Sequence, residues 1–164
     1  MNGRDPVVID TNVTIVANRK HRESISCANA CAQALVRTTN RGILLLDDGE
    51  RILQQYRTYL SHSGQPGVGD LFFKWLMDHR WYPELVNHVP VTPEDVREFV
   101  EFPETAALET FDRSDRIFVA VSLSHGGNAP ILNATDRDWW DHKDALDEAG
   151  IEVLFLCPER FDRP

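Results

Sequence analysis

Nowhere in the 164 residues does an apolar run approach the roughly 20 positions that a membrane-crossing helix needs. The start, Met1-Asn2-Gly3-Arg4-Asp5-Pro6, has no apolar stretch of the kind that drives secretion. Cysteine is scarce, and Cys27, Cys31 and Cys157 are an odd set without paired C-x-x-C spacing. That argues against a disulfide framework and a zinc knuckle, and makes a reducing cytoplasm the simplest compartment. Positive charge is in deficit: 17 Lys and Arg stand against 26 Asp and Glu, for a net charge of −9. A general basic coat for nucleic acid is therefore excluded, and any such contact needs local Arg/Lys clusters or metal ions. There is no Walker loop, no other Gly-rich phosphate loop and no G-x-S-x-G elbow, and the histidines have no metal-like spacing. With 42% hydrophobic and 26% charged residues, the chain is neither disordered nor of low complexity, and its length fits a single domain over 1–164.

Four short apolar runs are present: Val7-Val8-Ile9, Ile43 to Leu46, Pro130-Ile131-Leu132 and Ile151 to Leu156. Each is too short for a helix and has little alternation, as in strands buried on both faces of a parallel sheet. Helical spacing fills the intervals. It predicts helices over 24–39, 49–61 with Asp48 as N-cap, 71–81, 115–125 behind a Ser114 cap, and 138–149. Thr92-Pro93-Glu94-Asp95 reads as a further helix start, with a threonine cap, proline at the first position and acids in the first turn. Residues 61–69, with three glycines and a proline, read as a loop. Strands alternating with helices imply an α/β fold, a three-layer α/β/α sandwich around a mainly parallel sheet.

Acids recur at strand ends. Asp10 closes the first run, Asp47 and Asp48 the second, and Asp136 and Asp138 follow the third. Parallel strands end along one edge, so these side chains converge although far apart in sequence. Asp115 opens a helix, where the orphan N–H groups favour a carboxylate. Two unit charges 4 Å apart repel by roughly 4 kcal/mol at an effective dielectric of about 20. Clustered carboxylates therefore hold protons, splay apart or bind cations. Oxygen ligands without cysteine or histidine suit Mg²⁺ or Mn²⁺. For any one acid, a helix cap or turn is the alternative reading.

These residues resemble a PIN domain, a family of metal-dependent nucleases, over nearly the whole chain. The similar segments are Val7 to Val13 with its Asp10-Thr11-Asn12, Ser114 to Val121, Ile131 to Trp139 with Asp136 and Asp138, and Gly150 to Val153. The resemblance implies a Rossmann-like sandwich and Mg²⁺- or Mn²⁺-dependent hydrolysis of phosphodiesters, usually in RNA, leaving a 5′-phosphate. It also implies that Asp10, Asp115 and Asp136, with Asp138 as a fourth ligand or water orienter, hold one or two metals, and that Asn12 orients Asp10. The family usually carries a glutamate in the helix after the second strand, and that position falls on Gln55; Asp47 and Glu50 are the upstream substitutes. The implied activity is a ribonuclease, such as the toxin of a toxin–antitoxin pair. A PIN-like module that binds RNA or a partner protein without cleaving is the alternative.

Arg116 and Arg137 flank the acids and either bind substrate phosphate or balance charge, and Arg113 reads the same way. Arg19-Lys20-His21-Arg22 is the only dense basic run, a solvated loop or a phosphate grip. Trp139 and Trp140 read as core or as a base-stacking face. Leu71 to Met77 is more apolar than one helix face needs, which suggests core, with a homodimer or partner-protein surface as the alternative. A phosphatase of the haloacid dehalogenase type would want an acid where Asn12 stands, and a receiver domain would want a late strand-end lysine that is not found.

Overall fold

The apolar runs need cover on both faces, and a parallel sheet between helices supplies it. The computed structural model describes residues 3–19, 23–126 and 129–162. In it the runs become β1 (Asp5–Ile9), β2 (Gly42–Asp47), β6 (Ile131–Asn133) and β7 (Val153–Phe155). A fifth strand, β3 (Val86–Val89), joins them, and β4 (Pro93–Glu94) pairs with β5 (Glu98–Phe99) in a separate hairpin. The sheet order is β3-β2-β1-β6-β7, with all neighbours parallel. Among the described residues, seven α-helices accompany the strands. These are α1 (Thr11–Ala17), α2 (Ile25–Arg41), α3 (Arg51–Tyr59), α4 (Val68–His79), α5 (Arg116–Ser124), α6 (Arg137–Asp141) and α7 (Lys143–Glu148). Helices α1, α2 and α4 pack on one another, while α5 lies on β1 and β2, giving the three-layer α/β/α sandwich. Where α1 meets α4, a Cβ on Gly69 would run into the Thr14 carbonyl, so this close approach requires glycine. No helix among the described residues is long and apolar enough to cross a membrane.

Several expectations need correction. Thr92 to Asp95 begins a hairpin, because its side chains reach elsewhere. Thr92 N–H donates to the Glu101 carboxylate (2.9 Å), and Glu94 accepts from Arg97 N–H (2.6 Å), which folds the chain back. Glu50 stands at the N-cap of α3 without a side-chain capping bond, and the side chain that caps the helix is Asp47, which takes the N–H groups of both Arg51 and Ile52 at 2.9 Å, whereas Asp48 accepts from Val91 N–H (3.3 Å). Ser114 is not a cap either. Asp112 caps the short 3₁₀ turn Arg113–Asp115 that leads into α5, accepting from Ser114 N–H at 2.8 Å. The predicted helix over 138–149 is two pieces that meet at His142, whose ring bonds the Asp138 carbonyl (2.8 Å). The cysteines depart most: Cys27 and Cys157 are disulfide-bonded, their Cα atoms 5.3 Å apart across 130 residues, with Cys31 free and buried beside them. A separation that long, in an odd set, leaves no local spacing signal.

The apolar excess of α4 goes mostly inward: Phe72, Phe73 and Leu76 are buried, and Leu71 is exposed. Trp139 is core, edge-on to Phe111 at 4.9 Å. Trp140 stacks on Phe161 with Lys143 over its ring.

Candidate metal centre

Strand order reverses direction at β1, with β2 on one side and β6 on the other. Open α/β sheets form their crevice at such a switch point, outside the strand carboxyl ends. Asp10 follows β1 there and caps α1; Asp136 follows β6 and caps α6, accepting from Asp138 N–H at 3.0 Å. Asp115 arrives from the turn before α5. Carboxylate oxygens of these three residues lie within 4.8 Å of one another. Asp10 and Asp115 are buried and Asp136 is half-buried.

The acids are held by a polar frame. Asn12 donates through Nδ2 to Asp10 Oδ2 (2.9 Å), and its Oδ1 accepts from Ala134 N–H (2.7 Å), so one amide ties the end of β1 to the loop carrying Asp136. Asn133, wholly buried, adds a longer bond to Asp10 Oδ2 (3.4 Å), while its own Oδ1 has no partner. The Tyr56 hydroxyl donates to the Ile9 carbonyl at 2.5 Å, just before Asp10. Asp138 stands outside the cluster: its carboxylate accepts from Asp112 N–H (2.8 Å) and lies 3.2 Å from His142 Nδ1. It thereby joins α6, which bears Asp136, to the turn that bears Asp115.

Electrostatics mark Asp10 and Asp115 as crowded by burial and by neighbouring carboxylates. Burial, and next the Asp136 charge, raise the Asp10 pKa to about 7, although the Asn12 and Thr11 amides favour ionisation. The Trp139 indole N–H acts in the same direction, but without satisfying the geometry of a full hydrogen bond. Burial, followed by the Asp10 and Asp136 charges, raises Asp115 to about 9. Burial, with Asp10 behind it, also holds the Tyr56 hydroxyl well above its usual value. Carboxylates in this condition are relieved by protons or by a cation. The donor set, three carboxylates with a buried amide oxygen without a partner nearby, fits a hard divalent ion such as Mg²⁺ or Mn²⁺.

The other sequence candidates divide sharply. Gln55 borders the cluster: its Nε2 donates to the Ser114 carbonyl (2.8 Å) and its Oε1 accepts from the Thr11 hydroxyl (3.3 Å), the neighbours of Asp115 and Asp10. Asp47 is consumed by capping, and Glu50 lies 3.7 Å from Arg80. Arg116 is buried, with its guanidinium on the carbonyls of Glu109 (2.9 Å) and Phe111 (3.0 Å) and over the Phe102 ring. It staples the 97–111 segment and is not presented to a phosphate. Arg137 is exposed beside Asp141, and Arg113 is tied to the hairpin through Glu98 and the Val96 carbonyl (3.2 Å). Of the basic run only Arg19 is described; Lys20, His21 and Arg22 lie outside the described residues. Sequence reasoning missed Asn133 and Tyr56. A polar residue closing the apolar run at 131–133 was the available signal for the first, and none existed for the second. Comparison with protein-family models, with curated proteins and with solved structures returns no match.

Proposed function

We propose that the protein is a PIN-like, divalent-metal-dependent ribonuclease whose centre is Asp10, Asp115 and Asp136. The observation that carries this reading is the convergence of three carboxylates, from positions up to 126 apart, at the switch point of a parallel sheet. Mg²⁺ or Mn²⁺ bound there supplies Lewis acidity, an activated water and charge neutralisation at a phosphodiester. The chain's part is to hold the three acids in place. Asn12 fixes the Asp10 carboxylate and the Asp136 loop together, and Asp138 fixes the Asp115 turn against α6. Among the described residues, Arg116 and Arg113 are engaged elsewhere, and Arg137 is the exposed arginine next to Asp136 in the chain. A role as the toxin of a toxin–antitoxin pair belongs to this same reading.

Gln55 favours a second reading, a PIN-like module that binds RNA or a partner protein without cleaving it. It occupies the edge of the cluster with a neutral amide, engaged in two hydrogen bonds. One assay separates the two. Single-stranded RNA is incubated with Mn²⁺ or Mg²⁺ and with wild type, Asp10→Asn or Asp136→Asn. The nuclease reading expects the cleavage seen with wild type to fall in each variant by at least the roughly 100-fold that even indirect changes around a metal can reach. Equal cleavage by all three proteins would sink it, and RNA binding without cleavage would support the second.

A further inference from the structure

The sulfur atoms of Cys27, Cys31 and Cys157 lie within 4.8 Å of one another and all three residues are buried. Cys27 is in the first turn of α2 and Cys157 lies two residues beyond β7. Both positions are at the carboxyl edge of the sheet. Helix α2 ends where β2 begins, at the opposite edge, and β7 runs parallel to β6.

A short path leads from Cys157 to the acids. Leu156 N–H donates to the Asn133 carbonyl (2.9 Å), and the Asn133 side chain donates to Asp10 (3.4 Å). Beyond Cys157 the chain makes one 3₁₀ turn, Pro158–Arg160, and lays Phe161 on Trp140 with ring centroids 4.8 Å apart. Trp140 belongs to α6, which Asp136 caps. Arg160 pairs with Glu23 (3.3 Å) just before α2. The bond to Cys27 thus anchors a segment that touches the supports of both Asp10 and Asp136.

We propose that Cys27 and Cys157 form a reversible dithiol–disulfide couple, exchanging with a dithiol reductant, that clamps the C-terminal segment onto the acid-bearing edge. In reduction, a thiolate of the reductant attacks Cys157 Sγ, the Cys27–Cys157 bond breaks, and Cys27 leaves as a thiolate that takes up a proton. The reductant's second thiol then displaces Cys157, which leaves as a thiol, and the reductant departs as its own disulfide. Two electrons and two protons pass to the protein. Cys157 is fully buried, so the reductant reaches it only when the segment after it lifts, releasing the Phe161 ring from Trp140 and Phe155 and Arg160 from Glu23, whereas Cys27 is embedded in a helix. Cys31 does not compete: burial first, then the Glu23 and Glu159 charges, push its thiol up to about 12, so it carries almost no thiolate. Only the effect on the acids rests on the metal reading above; the couple and its clamp do not.

The test uses the full chain equilibrated with oxidised or reduced dithiothreitol, then quenched, unfolded in denaturant so that every free thiol reacts, alkylated and weighed. One modified cysteine is expected after oxidation and three after reduction; three under both conditions overturns the couple. Hydrogen exchange then reads the clamp. Amides of 151–162 and 129–136 should exchange about tenfold faster in the reduced protein and in Cys157→Ser, with Cys31→Ser unchanged. Unchanged exchange on reduction overturns the clamp. So does uniform acceleration across the whole chain, which would mean that the bond merely holds the fold. Mn²⁺ affinity should fall about tenfold on reduction, in the range seen when outer supports of metal ligands are lost. Equal affinity in both states overturns the link to the acids. Absence of Mn²⁺ binding in both states overturns the metal reading, while the clamp still stands or falls on the exchange rates.

Discussion

Two aspartates end adjacent parallel strands and are both buried, yet they live in opposite conditions. Asp47, the last residue of β2, has each carboxylate oxygen on an N–H of the first turn of α3, with Arg51 at 3.5 Å. Asp10, after β1, has one good amide bond from Asn12, a longer one from Asn133, and two other carboxylates close by. The first is a finished structural device and the second is unbalanced. An acid at a strand end is therefore not a signal in itself. What decides is whether the acid's neighbours are all donors, as for Asp47, or include other carboxylates, as for Asp10, which caps α1 and still faces Asp115 and Asp136.

The largest separation of the two comes from truncation. Asp47→Ala removes both capping bonds from buried amides and should cost about 2 kcal/mol of stability, the upper end for a helix cap, measured by urea unfolding. Its Mn²⁺ affinity per folded molecule should match wild type. Asp10→Asn should do the reverse, losing Mn²⁺ binding while keeping or gaining stability without metal. If Asp47→Ala lost metal binding while staying folded, the division drawn between the two aspartates would be wrong.

A smaller effect is expected from pH, and its sign is opposite to that of a salt-bridged acid. Asp10 and Asp115 have pKa values of about 7 and about 9 in the folded protein, above the ordinary carboxylate value. The native state therefore holds protons that the unfolded chain has released. Their contribution to stability is complete below the unfolded pKa of about 4 and is lost as pH rises through 7 and 9. Asp115→Asn, neutral throughout, should melt progressively higher than metal-free wild type between pH 5 and 9, by about 5 °C at the alkaline end. Mn²⁺ should raise wild type selectively in the same range by mass action. A gap between the two proteins that shrinks as pH rises would contradict the crowded-acid account.

Much of this arrangement was legible in the sequence. The runs at 7–9, 43–46 and 131–132 carry no competing pattern, so their burial on both faces could be read directly, and the acids that follow β1 and β6 inherit their position from those strands. What escaped depended on partners distant in the chain. Strand β3 is short and interrupted by Asn87 and His88, polar residues that suppress the apolar signal. Thr92-Pro93-Glu94-Asp95 obeys the local rules for a helix start, yet Glu101, nine residues away, takes the Thr92 N–H instead. Arg116 sits beside an acid in sequence, but its guanidinium turns away to carbonyls that only the fold brings within reach. The disulfide was invisible for the same reason. Residue type and order reveal which groups end at the edge; which of them are already satisfied is a property of the assembled molecule.

Gln55→Glu gives the smallest expected change and sharpens the comparison most finely. Gln55 bridges Thr11 and Ser114, so it already stands on the acids' side of α3, while Asp47 caps the start of that helix. A glutamate keeps the side-chain length and can still accept from Thr11, but it surrenders the bond to the Ser114 carbonyl and brings a fourth carboxylate to the cluster. Without metal the variant should melt a few degrees lower at pH 8, because like charges near the site repel. With Mn²⁺ it should bind about tenfold more tightly, since an added carboxylate is a better hard-cation ligand than an amide. A gain in RNA cleavage alongside that affinity would show that the neutral residue limits the wild-type centre. Tighter Mn²⁺ binding with RNA bound but uncut would place the limit elsewhere in the frame around Asp10 and favour the binding module. Unchanged affinity would mean that residue 55 props the Asp115 turn and has no part in seating the ion.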